Sequence, residues 1–231
     1  MVIYDLILYT LTMACPWYFY DLSSKWMVSK SKVAVYMLQT IVLIVVSYLS
    51  TALYGVLSYN GFPLFYLAMP FYIAFIMWWG AWGMVGVYAG SFIGSGLLFG
   101  LSFDQSLVYS AVYLIASLVP FLFYRGPLKN KGIDPFFRDL FYKKIESCLT
   151  NRKAAWVWFL TIDVLLANII GATMGVGIVY SSVFQSQIIL SWWIQWLVSD
   201  ALATLLLLPP LTVILTDFME KRGTINRGLL S

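Results

Sequence analysis

The 231-residue sequence contains no histidine, and acidic and basic side chains together make up only 10% of it. Without histidine the chain lacks the usual general base, the commonest zinc ligand and the side chain that changes charge near neutral pH. The shortage of charge excludes an ordinary water-soluble domain, in which roughly 25% of residues are charged and about 45–50% apolar. Here 61% are apolar and the mean hydropathy is +0.85, so the solvent that has to be matched is lipid. Cysteine is scarce as well: Cys15 lies in an apolar stretch and Cys148 in a charged loop, which is no disulfide framework. The sequence also has no glycine-rich phosphate loop, no paired metal-binding cysteines and no serine nucleophile elbow. The expectation is a protein that is not an enzyme and uses neither cofactor nor metal.

What the chain has in quantity is apolar length. A helix needs about 20 apolar residues to cross ~30 Å of hydrocarbon at ~1.5 Å per residue. Seven stretches meet or approach this, at about 2–20, 33–58, 63–79, 82–103, 106–124, 155–180 and 189–216, the first being interrupted by Asp5 and Pro16. The longer runs exceed the short core of a signal peptide. The fold class that follows is all-α: a polytopic membrane bundle of six or seven transmembrane helices, one integral domain over 1–231.

All 14 basic residues fall in three segments. Lys25, Lys30 and Lys32 follow the first stretch, the loop at about 125–154 holds eight from Arg125 to Lys153, and Lys221, Arg222 and Arg227 lie in the tail. The loops around 59–62, 104–105 and 181–188 hold none. Lys and Arg collect in cytoplasmic loops, so the expected arrangement is a plasma-membrane protein with its basic loops and C-terminus cytoplasmic. The net charge of +4 is then a topological signal and not a nucleic-acid surface. Within the long loop, Asp134 followed by Pro135 has the form of a helix start. It predicts an interfacial helix with Phe137, Leu140, Phe141, Ile145 and Leu149 on one face, lying on lipid or docking a cytosolic partner.

Small residues recur at one-turn spacing at Gly83, Gly86, Gly90 and Gly94 and at Ala167, Gly171 and Gly175. In lipid such stripes let helix backbones approach closely, and they also leave room for a ligand. Two carboxylates fall inside predicted spans. Asp163 is ~12 Å from the inner start of its helix and Asp200 ~16 Å from the outer start of its own, so both lie near the midplane. No Lys or Arg is within those spans to pair with them. Each must be protonated, hydrogen-bonded to groups such as Asn168 and Gln195, or neutralised by a cation; a cross-helix hydrogen bond and a functional site both satisfy this. The sequence around them, TID and VSD, lacks the YD and GxGD patterns of intramembrane aspartyl proteases.

Most of the ten tryptophans fall at span ends, as in an interfacial belt: Trp17, Trp26, Trp78, Trp79, Trp82, Trp156 and Trp158 on the inner side, Trp192 and Trp193 on the outer. Trp196 is deeper, one turn from Asp200, and an aromatic face beside a carboxylate suits an organic cation. The candidate ligand-binding residues are therefore Trp193, Trp196, Asp200 and Thr204, with Asp163 and Asn168 from the neighbouring helix.

The last helix, WWIQWLVSDALATLLLLPPL at 192–211, resembles the closing helix of the first membrane-associated sensor domain family (MASE-type). The segment PLFYLAMPFYIAFIMWWGAWGMVGVYAGSFIGS at 63–95 is similar to that family's proline-led helix and the glycine-rich helix after it. Carried over by residue, the match involves Trp193, Trp196, Asp200 and Pro209, then Gly83, Gly86 and Gly90. The resemblance implies a sensor or receptor and a signalling partner. A bundle of this kind is also similar to the substrate-binding S components of energy-coupling-factor transporters, which implies solute or vitamin uptake with a transporter partner, although the first stretch lacks their AxxxA motif. A purely structural membrane subunit is the third reading.

Overall fold

A computed structural model of the chain describes residues 33–54, 58–59, 62–63, 65–141, 152–179, 186–221 and 224–225. It is a helical bundle. Helix α1 is Val33–Tyr54, α2 Ala68–Trp79, α3 Ala81–Phe99, α4 Phe103–Arg125, α5 runs from Arg152 with a membrane-length stretch to Gly177, and α6 is Ser186–Lys221. A two-residue antiparallel ladder, Ser58–Tyr59 with Phe62–Pro63, turns the chain between α1 and α2. The first apolar stretch, 2–20, lies outside the described residues.

Five of these helices are long and apolar enough to cross a membrane, which makes the chain a multi-pass membrane protein. At ~1.5 Å per residue the 36-residue α6 is ~54 Å long and outruns the hydrocarbon core. Helix α2 is shorter than the crossing expected at 63–79, although the segment still runs from Tyr66, at the end where α6 begins, to Trp78 and Trp79, bonded at the end where α6 finishes. Its 12 residues reach only ~18 Å, and every one except Phe71 is buried. A helix apolar on all faces belongs inside a bundle, and α2 occupies the centre, against α1, α3, α4 and α6. Gly80 reverses the chain between α2 and α3 at φ 57° and ψ −124°, a backbone that side-chain-bearing residues rarely adopt.

Glycine stripes set the closest approaches. A Cβ at Gly90 would lie 2.8 Å from Leu43 Cβ on α1, and one at Gly94 would overlap the Ile44 carbonyl and lie 2.7 Å from Ser47 Cβ. Gly83 presses on the α2 backbone at Phe75 and Ile76. Trp78 and Trp79, expected in the interfacial belt, are buried instead. Trp78 Nε1 donates to Thr216 Oγ1 (2.8 Å) and Trp79 Nε1 to the Thr224 carbonyl (3.0 Å), joining α2 to the end of α6. A polar atom on each ring finds a protein partner, so the ring has no need of the wet interface.

The segment from Asp134 also departs from the amphipathic α-helix predicted there. Over the described part, 134–141, the chain makes a turn and a single 3₁₀ turn at Arg138–Leu140, with Phe137 at φ 60°. Asp134 does accept the Arg138 backbone N–H (2.9 Å), but its carboxylate also takes the Arg138 guanidinium (2.8 Å). Phe136, Phe137 and Leu140 are buried, with Phe137 edge-on to Tyr124 and Phe159 (5.3 Å each). Burial of these side chains, together with the Arg138–Asp134 pair, accompanies the turn, so tertiary packing overrides the helix-start signal. Ile145 and Leu149 lie outside the described residues.

Candidate functional site

At the end of the bundle where α1 finishes and α4 and α6 begin, the helices line a half-open cavity of about 260 Å³. Helix α6 contributes Trp192, Gln195, Trp196, Ser199 and Asp200, and α4 contributes Tyr109 and Tyr113. Thr51 of α1, Phe99 of α3 and Tyr66, just before α2, complete the wall. No basic side chain is among them. The volume is at the small end for ligand sites and suits a one-ring solute.

Trp196 is the fixed point. Its Nε1 donates to Asp200 Oδ2 at 3.0 Å, across one helical turn. Its ring lies 5.9 Å from that of Tyr109 and 5.7 Å from that of Tyr113. The far edge of the indole rests on Gly175 of α5, where a Cβ would come within 2.6 Å of Cζ3. Tyr113 in turn stacks on Tyr66 (5.0 Å) and meets Tyr72 edge-on (5.5 Å). The hydroxyls of this group are joined: Tyr109 to Tyr113 (3.3 Å), Tyr66 to Ser95 (2.8 Å), and Thr51 to Ser95 (3.0 Å). Three helices thus hold the aromatic wall in place by ring contact and by hydrogen bonds at once.

Of the six residues singled out in the sequence, Trp196 and Asp200 line this cavity. Thr204, Asn168 and Asp163 form a connected set one layer further along α5 and α6, all fully buried. Asn168 Nδ2 donates to the carbonyls of Asp163 (3.2 Å) and Val164 (2.9 Å), where α5 returns from a π-helical turn at Phe159–Leu166 to α-helix, and approaches Thr204 Oγ1 at 3.4 Å. Tyr124 donates to Asp163 Oδ2 at 3.0 Å. Asp163 therefore has a cross-helix hydrogen bond and does not face the cavity. Trp193 turns to α5, where its Nε1 donates to Thr173 Oγ1 at 3.0 Å. The wall residues that sequence reasoning missed are Thr51, Tyr66, Phe99, Tyr109, Tyr113 and Ser199. Tyr109 and Tyr113 do share a helix face, but nothing in the sequence ties that face to Trp196.

A second polar cluster closes the opposite end. Arg138 pairs with Asp134 (2.8 Å) and reaches Glu220 (3.1 Å) and Asp217 (3.7 Å) on α6, fastening the loop to the last helix. Burial opposes the Arg138 charge, but Asp134 and Glu220 outweigh it and push the pKa up. Beside it, Asp139 accepts the Asp134 backbone N–H at 3.1 Å. Burial, with the nearby Asp134 charge, raises the Asp139 carboxyl to about 6. No protein-family model, curated protein or solved structure matches this chain.

Proposed function

We propose that the protein is a membrane receptor of the sensor type that binds a small aromatic or cationic solute in the cavity beneath Trp196. The observation that carries this reading is one carboxylate, Asp200, set beside the Trp196 and Tyr113 rings in a cavity without a basic residue. Ring faces attract a cation and the carboxylate neutralises it, whereas a neutral or anionic solute finds no counterpart to Asp200. The resemblance of the last helix to the membrane-associated sensor family supports a signalling role, in which α6 connects the cavity to the Arg138 clasp. The plasma membrane, with the basic segments on the cytoplasmic face, is the location that charge placement favours.

The connected set of Thr204, Asn168 and Asp163 favours a second reading, the substrate-binding component of an uptake transporter, because polar groups continue from the cavity toward the other end of the bundle. Equilibrium binding of phenethylamine to the protein in lipid nanodiscs tests the site, and uptake into proteoliposomes with and without a partner separates the two roles. Trp196→Ala and Asp200→Asn should each weaken binding by about 2- to 30-fold, the range of a desolvated cation–π contact of ~0.5–2 kcal/mol. Trp156→Ala, distant from the cavity, should leave binding unchanged. Equal losses in all three variants would make Trp196 a packing residue and return the chain to a structural role.

A further inference from the structure

We infer that the cavity exchanges a proton for its ligand: Asp200 carries a proton while the cavity is empty and gives it up when an organic cation binds. The inference rests on the cavity being a solute site. Asp200 is 2% exposed, on the part of α6 that crosses the membrane, and it lines the cavity. Its Oδ2 accepts one hydrogen bond, from Trp196 Nε1 at 3.0 Å. The other membrane carboxylate, Asp163, has an oxygen that is sealed from solvent and without a partner. Among the described residues Asp200 has no oxygen in that condition, so its Oδ1 is the one the cavity reaches.

The surroundings decide the charge of the empty site. The titratable groups on the cavity wall with Asp200 are three phenols, Tyr109 and Tyr113 from α4 and Tyr66 from before α2, and phenols are uncharged near neutral pH. Helices α1 and α3 contribute Thr51 and Phe99, and α5 contributes Gly175 behind the Trp196 ring. Asp163 lies one layer on and takes its own hydrogen bond from Tyr124. No lysine or arginine lines the cavity. An ionised carboxylate there has one hydrogen bond and no counter-ion in place of its water shell, and burial of that kind costs more than one hydrogen bond returns. A proton removes the cost in the empty cavity, and a bound cation removes it by charge. In the exchange the O–H bond of Asp200 breaks, the carboxylate keeps the electron pair and pairs with the cation, and the proton leaves to water through the open side of the cavity. The site is neutral before and after. Adding a cation to a protonated Asp200, or leaving an ionised one empty, would each place a net charge in the low-dielectric bundle.

N,N,N-Trimethylphenethylammonium, whose charge does not change with pH, tests this on the full chain in nanodiscs, with 2-phenylethanol as the uncharged control. The wild-type affinity for the cation should rise about 10-fold from pH 6 to pH 7, the most that release of a single proton can give, and the alcohol should bind equally at both. Calorimetry at pH 6 in two buffers of different ionisation heat should count one proton released per cation bound. Asp200→Asn should bind the cation with the same weakened affinity at both pH values and release no proton. Cation binding that is equal at both pH values in the wild type, with no proton released, overturns the inference while the cavity reading stands. So do binding of the alcohol alone, and a pH dependence that persists in Asp200→Asn, which puts the proton elsewhere. The proton count on the wild type decides the matter if the variant does not fold. Absence of binding by both probes overturns the cavity reading, and this inference with it.

Discussion

Gly175 and Gly177 are two residues apart at the end of α5 and differ in what faces them, so replacing each with alanine isolates the cost of unseating Trp196. A Cβ at Gly175 would lie 2.6 Å from Trp196 Cζ3 and 2.7 Å from Cζ2, whereas one at Gly177 meets nothing within 4 Å. Carbon atoms rest at about 3.5–4.0 Å, so the indole has to withdraw by ~1 Å. It also lines the cavity, but withdrawing shifts it against Tyr109 and Tyr113 and strains the Nε1 bond to Asp200. Overpacking of this kind costs ~1–3 kcal/mol, and a lost bond to Asp200 adds ~1 kcal/mol or more. Glycine to alanine within a helix returns ~0.5–1 kcal/mol at either position. Gly177→Ala should therefore be neutral or stabilising by up to ~1 kcal/mol, and Gly175→Ala destabilising by ~1–3 kcal/mol. Reversible unfolding of the two variants in mixed detergent–SDS micelles, followed by circular dichroism, measures the difference. Two variants within ~0.5 kcal/mol of each other would refute the seating of Trp196 on Gly175.

Asp139 gives a pH dependence with a defined sign. Its folded pKa, raised to about 6 from 3.8, means that the native state holds the proton more tightly than the unfolded chain, so stability should fall as pH rises from about 4 to 6 and level off above ~7. Two pH units correspond to at most ~3 kcal/mol, which solvent access to the loop reduces to ~1–2 kcal/mol. Asp139→Asn should flatten a thermal-midpoint series between pH 4.5 and 7.5, and an unchanged slope would exclude this carboxyl as the cause. Arg138→Leu removes the cation beside Asp134, which is 1% exposed, and should lower stability by ~2–3 kcal/mol in the same unfolding assay. The topology predicts that a cysteine placed at Ser182 reacts with an impermeant maleimide on intact cells, and that Cys148 reacts only after permeabilisation; both positions lie outside the described residues. The reverse pattern would invert the orientation.

The helices were legible because apolar length and charge are properties of contiguous sequence. The runs at 33–58, 106–124 and 189–216 correspond to Val33–Tyr54, Phe103–Arg125 and Ser186–Lys221 within a few residues. Ser102 and Gln105 cap the start of α4 reciprocally. Hydropathy does not say whether an apolar surface meets lipid or protein, and α2 shows the consequence: a short helix buried among its neighbours has the same signature as one that faces lipid. The same ambiguity moved Trp78 and Trp79 from an expected belt into the core. At 134–141, local capping chemistry competed with burial of Phe136 and Phe137 and lost, a contest decided by Tyr124 and Phe159, which no local window contains.

The candidate site divides along the same line. Trp196 and Asp200 were visible because depth along a helix is simple arithmetic and their four-residue spacing places them on one face. Tyr66, Tyr109 and Tyr113 were not, because they join the wall from a loop and from another helix, and Ser199 could not be told from any other serine in the sequence. Gly175 carries the argument furthest. In the sequence it belongs to a small-residue stripe that reads either as a helix contact or as space for a ligand, and in the fold it does neither simply: its missing side chain admits the Trp196 ring from the next helix. That ring then holds Asp200 through Nε1 and forms a wall of the cavity beside Tyr109 and Tyr113. A small residue that makes no contact with a ligand can thereby set the geometry of the site, because in a close-packed bundle the position of a large side chain is decided by where its neighbours leave room.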